Sequence, residues 1–303
     1  MIERIKTMQR REFLINTAVA TSAAVIGLKS PVQAAQPLIK KSLKFGMIQE
    51  NLSVMDKFKL LRDIGFDGVE LDSPNDITPK EILEARDKTG IELPGVVNSA
   101  HWKSPLSSPD PKVRELCSKA MEKSLYDCKV YGGTTVLLVP GVVNQTISYQ
   151  EAYERSQAEI KKLIPVAEKT GIKIALENVW NNFLISPIEA ARYVDEINHP
   201  LVGWYFDVGN ILRYGWPEHW IETLGKRIMK IDIKEFSRKK QQDEGLWKGF
   251  DVELMEGDCN WPAVNKALSK IGYSGWASAE VNGGDRKRLE TIYKKMDEVF
   301  KAV

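Results

Sequence analysis

The strongest constraint on this chain is an alternation. Short aliphatic and β-branched runs recur at Leu43–Ile48, Gly68–Leu71, Glu92–Asn98, Thr135–Val139, Lys173–Glu177, Val202–Asp207, Ile228–Ile233 and Trp276–Val281. Between and after them lie stretches of helical periodicity: Met55–Ile64, Lys80–Thr89, Pro111–Val130, Tyr149–Thr170, Pro187–Ile197, Trp216–Leu224, Trp261–Ile271 and Arg286–Val303. Strands separated by a helix cannot pair through tight turns, so the pattern dictates a parallel sheet. Eight such units close most naturally as a single (β/α)8 barrel over residues 42–303. An open doubly wound sheet is the alternative, but no glycine-rich dinucleotide fingerprint follows the first strand.

Local signals agree with that reading. Gly65, Gly90, Gly171 and Gly272 stand where a helix needs a left-handed residue to stop. Ser53, Thr78 and Ser186 precede helical runs as N-caps, two of them directly before a proline suited to the first helical position.

Residues 1–35 read as an address. Arg10-Arg11-Glu12-Phe13-Leu14 precedes a mildly apolar run from Ile15 to Leu28, and Val32-Gln33-Ala34-Ala35 offers small residues for cleavage. The paired arginines resemble a twin-arginine export signal, which implies the twin-arginine machinery as a partner and a periplasmic destination. The apolar run is shorter than the roughly 20 residues a stable membrane span requires. Five basic and two acidic residues fall within 1–34, so the remaining chain carries a net charge of −1 out of a total of +2. A near-neutral body excludes the basic stripe of a nucleic-acid binder. The three cysteines have neither disulfide-framework nor metal-ligand spacing and read as small buried residues.

Chemistry in such a barrel sits at the C-terminal ends of the strands. There the sequence reads Leu176-Glu177-Asn178, Tyr205-Phe206-Asp207-Val208-Gly209-Asn210, Lys230-Ile231-Asp232-Ile233-Lys234-Glu235 and Ala279-Glu280-Val281. Glu177, Asp207, Asp232 and Glu280 thus come from four successive strands. Any one of them alone is more readily a salt-bridged strand-end acid. Four converging carboxylates, however, cannot all stay ionised without a cation. All-oxygen ligation favours one divalent hard ion, manganese or magnesium, with zinc or cobalt as alternatives.

These four motifs, in this order, resemble the sugar phosphate isomerase/epimerase family, the xylose-isomerase-like barrel group that includes ketose 3-epimerases and inosose dehydratases. The resemblance implies that Glu177 and Glu280 bind the metal and serve as the acid/base pair, and that Asp207 is a ligand. The family's seventh strand usually supplies a histidine, whose place Asp232 takes here. Either Asp232 ligates, or three residues and water hold the ion.

The implied reaction is proton transfer next to the carbonyl of a sugar or keto-sugar, giving epimerisation or aldose–ketose isomerisation. A lyase of the inosose-dehydratase type and a non-catalytic sugar-binding barrel are the rivals. A zinc-cluster nuclease would need more histidines than the three present. His101 resembles a substrate-binding position, while His199 and His219 read as structural. Glu70 and Asn210 are candidate polar contacts, and Trp180, Phe183 and Trp102 candidate stacking surfaces. Lys234, Arg238 and the turn Asn282-Gly283-Gly284 could meet a phosphate, but export favours a non-phosphorylated substrate. Oligomeric state, homo-oligomer or monomer, is left open.

Overall fold

The computed structural model describes residues 39–301; the segment read as an export signal lies outside them. Eight parallel strands close in sequence order, β1 (Ile39–Lys44), β2 (Gly68–Ser73), β3 (Gly95–Asn98), β4 (Thr135–Leu138), β5 (Lys173–Glu177), β6 (Val202–Asp207), β7 (Ile228–Ile233) and β8 (Gly275–Ala279), with β8 pairing back onto β1. Nine helices are found among the described residues: α1 (Val54–Ile64), α2 (Pro79–Thr89), α3 (Pro111–Tyr131), α4 (Tyr149–Thr170), α5 (Pro187–Ile197), α6 (Pro217–Leu224), α7 (Arg238–Glu244), α8 (Trp261–Lys270) and α9 (Arg286–Lys301). None of these helices is long and apolar enough to cross a membrane. The expected (β/α)8 barrel is therefore the observed fold.

Helix ends follow the sequence signals closely. Ser53 and Thr78 accept from the backbone N–H groups of Asp56 and Glu81. Gly65, Gly90 and Gly171 adopt the left-handed conformation at C-caps, and Gly272 also has positive φ. Ser186 differs: it precedes α5 but makes no side-chain cap bond, leaving Pro187 at the first turn as the start signal. The main apolar core lies between the strands and the helices, where Leu43, Phe58, Leu61, Val136, Ile174, Trp204 and Ile231 are closed to solvent.

The two largest shifts of strand boundaries, at the first and third strands, have local causes. The third strand starts at Gly95 instead of Glu92 because Pro94 cannot donate to the ladder, leaving only an isolated bridge at Glu92. The first strand is Ile39–Lys44 instead of Leu43–Ile48. Its early lysines are neutralised on the barrel's flank, Lys40 by Glu92 at 2.5 Å and Lys41 by Asp297. After Lys44 the chain tightens into a 3-10 turn over Phe45–Met47. The shift carries Lys44 from the start of a strand to its C-terminal end, where the barrel mouth lies.

Candidate active site

The mouth is built from strand registers. Asp207 on β6 lies level with Asp232 on β7, Glu177 ends β5 beside Tyr205, and Glu280 follows β8. Each of the four acids offers one oxygen within 4.8 Å of the others. Asp207 and Asp232 are completely covered and Glu177 nearly so, while Glu280 keeps 38% of its side chain open. The sequence-derived ligand set thus converges in space.

Lysines enter the same cluster. Lys44 Nζ lies 2.9 Å from Asp232 Oδ1 and 2.8 Å from Glu70 Oε2. Lys234 Nζ lies 2.9 Å from Asp207 Oδ2 and 3.1 Å from Glu280 Oε2. Gly209 makes that second approach feasible, because a Cβ there would fall 2.8 Å from the Lys234 side chain. Burial, then the neighbouring carboxylates of Glu280, Asp232 and Asp207, raise the Glu177 carboxyl well above its ordinary range. Burial pushes Asp207 up to about 6, against the opposing pull of Lys234, and raises Asp232 well above the usual range. Glu280 goes the other way: burial would raise it, but Lys234 and Lys44 together hold it below.

The donors fit a divalent cation on two physical counts. Asp207 Oδ2, both Asp232 oxygens and Glu280 Oε2 are buried without a hydrogen-bond donor. The lysine nitrogens near them supply charge but not hydrogen-bond alignment, and such orphaned acceptors are costly unless something else satisfies them. Ionised together, Glu70, Glu177, Asp207, Asp232 and Glu280 outnumber Lys44, Lys230 and Lys234, and Asp72 at the rim adds to the excess, so the cluster carries negative charge for a cation to offset.

Beneath the mouth lies a second polar layer. Glu70 is 2% exposed, with Oε1 accepting from Lys230 at 3.0 Å and Oε2 accepting from Lys44 at 2.8 Å and from the Tyr205 hydroxyl at 2.7 Å. Gly95 admits the buried lysine, since a Cβ there would lie 2.6 Å from Lys230 Nζ. Proposed from sequence as a substrate contact, Glu70 does border the cavity, but its oxygens are already engaged.

The other sequence candidates divide between positioning and lining. Asn178 Nδ2 donates to the Asp207 carbonyl at 2.7 Å, and its Oδ1 accepts from Asp207 N and Trp204 Nε1. Asn210 N donates to Asp207 Oδ1 at 2.8 Å, and its amide donates to the Asn178 carbonyl. These two asparagines fix the Asp207 carboxylate across the β5–β6 gap, and Asn210 also borders the cavity. His101 is 4% exposed, its Nδ1 accepting from Val139 N at 3.3 Å, which leaves Nε2 as the protonated nitrogen of the neutral ring. Burial lowers its pKa to about 4, so the ring is neutral at physiological pH. It lines the mouth with Lys44, Asp72, Glu177 and Glu280. His199 is structural, against Glu168 and Leu201 N.

Phosphate-binding candidates are occupied by the protein itself. Lys234 is held by Asp207 and Glu280, and Arg238 donates to the carbonyls of Leu212 and Gly215. The Asn282-Gly283-Gly284 turn packs on the β1 loop, with Gly284 N donating to Met47 O.

Sequence reasoning placed Trp180 and Trp102 at the mouth, as found, but missed Lys44 and the rest of an aromatic wall, Trp247 and Phe250. Trp180 packs against Trp247 at 5.0 Å and Phe250 at 4.8 Å between ring centroids, and these line the mouth with Trp102. Trp247 and Phe250 come from the β7–α8 excursion, which has no strand or long-helix periodicity to signal it. Phe183 instead packs away from the solvent, on Tyr149, Tyr153 and Tyr193.

Fold and acid cluster together define a strand-end, carboxylate-centred barrel site. The chain belongs to the xylose isomerase-like TIM barrel family, whose model matches residues 58–302. It is 23% identical over 254 residues to the L-ribulose-5-phosphate 3-epimerase UlaE of Shigella flexneri, covering 78% of this chain and 87% of that one. Among solved structures it resembles a D-tagatose 3-epimerase-like protein, at a TM-score of 0.72 and 22% identity, over 87% of this chain and 99% of the other. The IOLI protein, solved with a bound zinc atom, matches at a TM-score of 0.71 and 21% identity, over 87% and 98%.

Proposed function

We propose that this protein is a metal-dependent sugar epimerase or isomerase that moves a proton on the carbon next to a carbonyl. The observation that carries the reading is the convergence of Glu177, Asp207, Asp232 and Glu280 within 4.8 Å, with buried oxygens that accept no hydrogen bond. These four residues would hold one divalent ion, manganese or magnesium. When bound, the ion supplies Lewis-acid stabilisation of the negative charge that develops on the substrate's oxygens.

The chain's own residues supply the proton chemistry. Opposed environments separate the two glutamates before the ion binds: Glu177 is the more readily protonated and Glu280 the more readily ionised. A pair of carboxyls pushed apart in this way provides an acid and a base. Glu280 takes the proton from the carbon beside the carbonyl, and the electron pair moves onto the carbonyl oxygen. Glu177 then returns a proton to carbon: at the same carbon this gives the epimer, and at the former carbonyl carbon, with the hydroxyl proton passing from one oxygen to the other, the isomer. Asn178 and Asn210 hold Asp207 in place, and His101 offers its Nε2–H to a substrate hydroxyl.

A non-phosphorylated sugar is favoured because Lys234 and Arg238 already have partners. The export signal read in residues 1–35 supports the same choice, as it directs the enzyme to the periplasm, away from intracellular sugar phosphates.

Incubation with keto-sugars and manganese in deuterated water tests the reading. Deuterium should appear at the carbon next to the carbonyl without loss of mass to dehydration. Glu177→Gln and Glu280→Gln should each lower exchange by about 10²–10⁴-fold while the circular dichroism spectrum stays native. Undiminished exchange in either variant would remove that residue from the acid/base pair, and loss of water would make the enzyme a lyase.

A further inference from the structure

The mouth has two compartments that meet at the acid/base pair. One, of about 400 Å³, is floored by charged groups including Lys44, Asp72 and His101. The other, of about 370 Å³, has Trp180, Trp247 and Phe250 on its wall. Glu177, Glu280 and Trp102 border both. Each volume alone falls in the range that holds a small ligand.

The aromatic compartment is a constructed wall. Trp247 is 66% exposed and Trp102 is 53% exposed, whereas Trp204, Trp220 and Trp261 are fully buried. Trp247 rests on Trp180 and is stacked with Phe250, which in turn packs on Phe236 at 4.8 Å. Gly249 passes so close to the Phe236 ring that a Cβ would fall 2.2 Å from it. Glu235, 1% exposed, secures the following segment by accepting from Met255 N at 2.8 Å, Cys259 N at 3.0 Å and Trp261 Nε1 at 2.9 Å. The fold therefore fixes an open indole face beside the reacting carboxylates.

We propose that this compartment is a second sugar subsite, so that the substrate is a keto-glycoside of two rings, one over the carboxylates and one stacked on Trp247 and Trp102. The inference rests on the reaction reading above for the placement of the keto-bearing ring. A sugar ring has an apolar C–H face and hydroxyl edges, which match an aromatic wall facing Asn210, Lys234 and the two glutamates. An alkyl chain would cover those polar groups without offering them the hydrogen bonds that sugar hydroxyls add. A phosphate would find only Lys234, which Asp207 and Glu280 already hold.

The chemistry also places the reaction in a sequence. The anomeric carbon of a glycoside is an acetal with no carbonyl, so the ketone must lie elsewhere on the ring. Where the ring over the carboxylates is the glycosidically locked one, a preceding oxidation of a secondary ring alcohol, with an electron acceptor taking the two electrons, supplies the substrate.

Calorimetric titration of the full chain with manganese present tests this, using 3-ketomaltose and 3-ketocellobiose against the one-ring methyl 3-keto-glucoside. At least one two-ring ligand should bind ten-fold or more tighter than the one-ring compound. Trp247→Ala should remove that advantage and Trp247→Phe should restore most of it, while Trp216→Ala, an open indole outside both compartments, leaves it intact. Equal affinities for one and two rings, binding of neither, or a two-ring advantage that survives Trp247→Ala would overturn the subsite. Deuterium exchange on the same ligands separates the two readings. A Trp247-dependent two-ring advantage without exchange sinks the reaction and keeps the subsite; exchange without such an advantage does the reverse.

Discussion

Two buried carboxylates in this barrel, Glu70 and Asp232, share a lysine and yet live under opposite conditions. Lys44 lies 2.8 Å from one and 2.9 Å from the other. Glu70 also accepts from Lys230 and Tyr205, and although burial opposes its charge, Lys44 and Lys230 hold its carboxyl far below the usual range. Asp232 has no aligned donor on either oxygen, and burial together with Glu280 and Glu70 raises it well above that range despite Lys44. A buried acid surrounded by donors is a finished structural unit. One surrounded mainly by other acids is stable only if protonated or if a cation arrives. The Glu70 layer satisfies its own carboxylate, whereas the layer above it keeps carboxylate oxygens that no donor of the chain satisfies.

The contrast can be broken from either side. Replacing Glu70 with glutamine strands Lys230 in a low-dielectric interior, leaves Lys44 with Asp232 alone, and should cost about 3–5 kcal/mol in urea unfolding. A loss under 1 kcal/mol would mean that this network is not a structural core.

Manganese added to the upper cluster should raise the melting temperature, with a stabilisation of about 2.7 kcal/mol at one hundred times its dissociation constant. The effect should depend on pH in a definite direction. Asp207 has a folded pKa raised to about 6, so it binds more protons folded than unfolded between its ordinary range and 6. Its contribution to stability without metal therefore falls as pH rises through that window. Metal needs the ionised carboxylates, so the manganese-induced shift should be larger at pH 7.5 than at pH 5. A shift that shrinks as pH rises would contradict the assignment.

A smaller effect, opposite in sign to that at Glu70, is expected at Asp232. Asn in its place removes a charge whose environment disfavours it, so Asp232→Asn should raise the melting temperature at pH 7.5 by a few degrees while weakening manganese binding. Melting below wild type would show that Lys44 needs both acids. Smallest of all, Lys234→Met removes a cation that competes for Asp207 and Glu280, and manganese affinity measured by calorimetry should tighten several-fold.

Much of this site was legible before any coordinates. Glu177, Asp207, Asp232 and Glu280 each mark a strand end, and a parallel barrel gathers its strand ends at one mouth, so strand identity alone brought them together. Lys234 was legible as a mouth residue, but its ties to Asp207 and Glu280 were not. Lys44 was missed because placing the first strand at Leu43–Ile48 put it at the wrong end of the barrel. Ion pairs that neutralise Lys40 and Lys41 come from Glu92 and Asp297, one 52 residues and the other 256 residues away in the chain, and no local pattern announces them. Trp247 and Phe250 sit in an excursion without periodicity, so their place at the mouth had no sequence signal.

Sequence by itself determined the strand–helix alternation, the helix stops at glycine and the four acids of the mouth, because each depends on local periodicity, backbone freedom or position along one strand. Tertiary structure decided which acid is satisfied and which is left waiting, and where the open indoles stand. Those depend on which side chains from distant strands fill the same few ångströms of barrel interior, where loss of solvent makes every partner, or its absence, count.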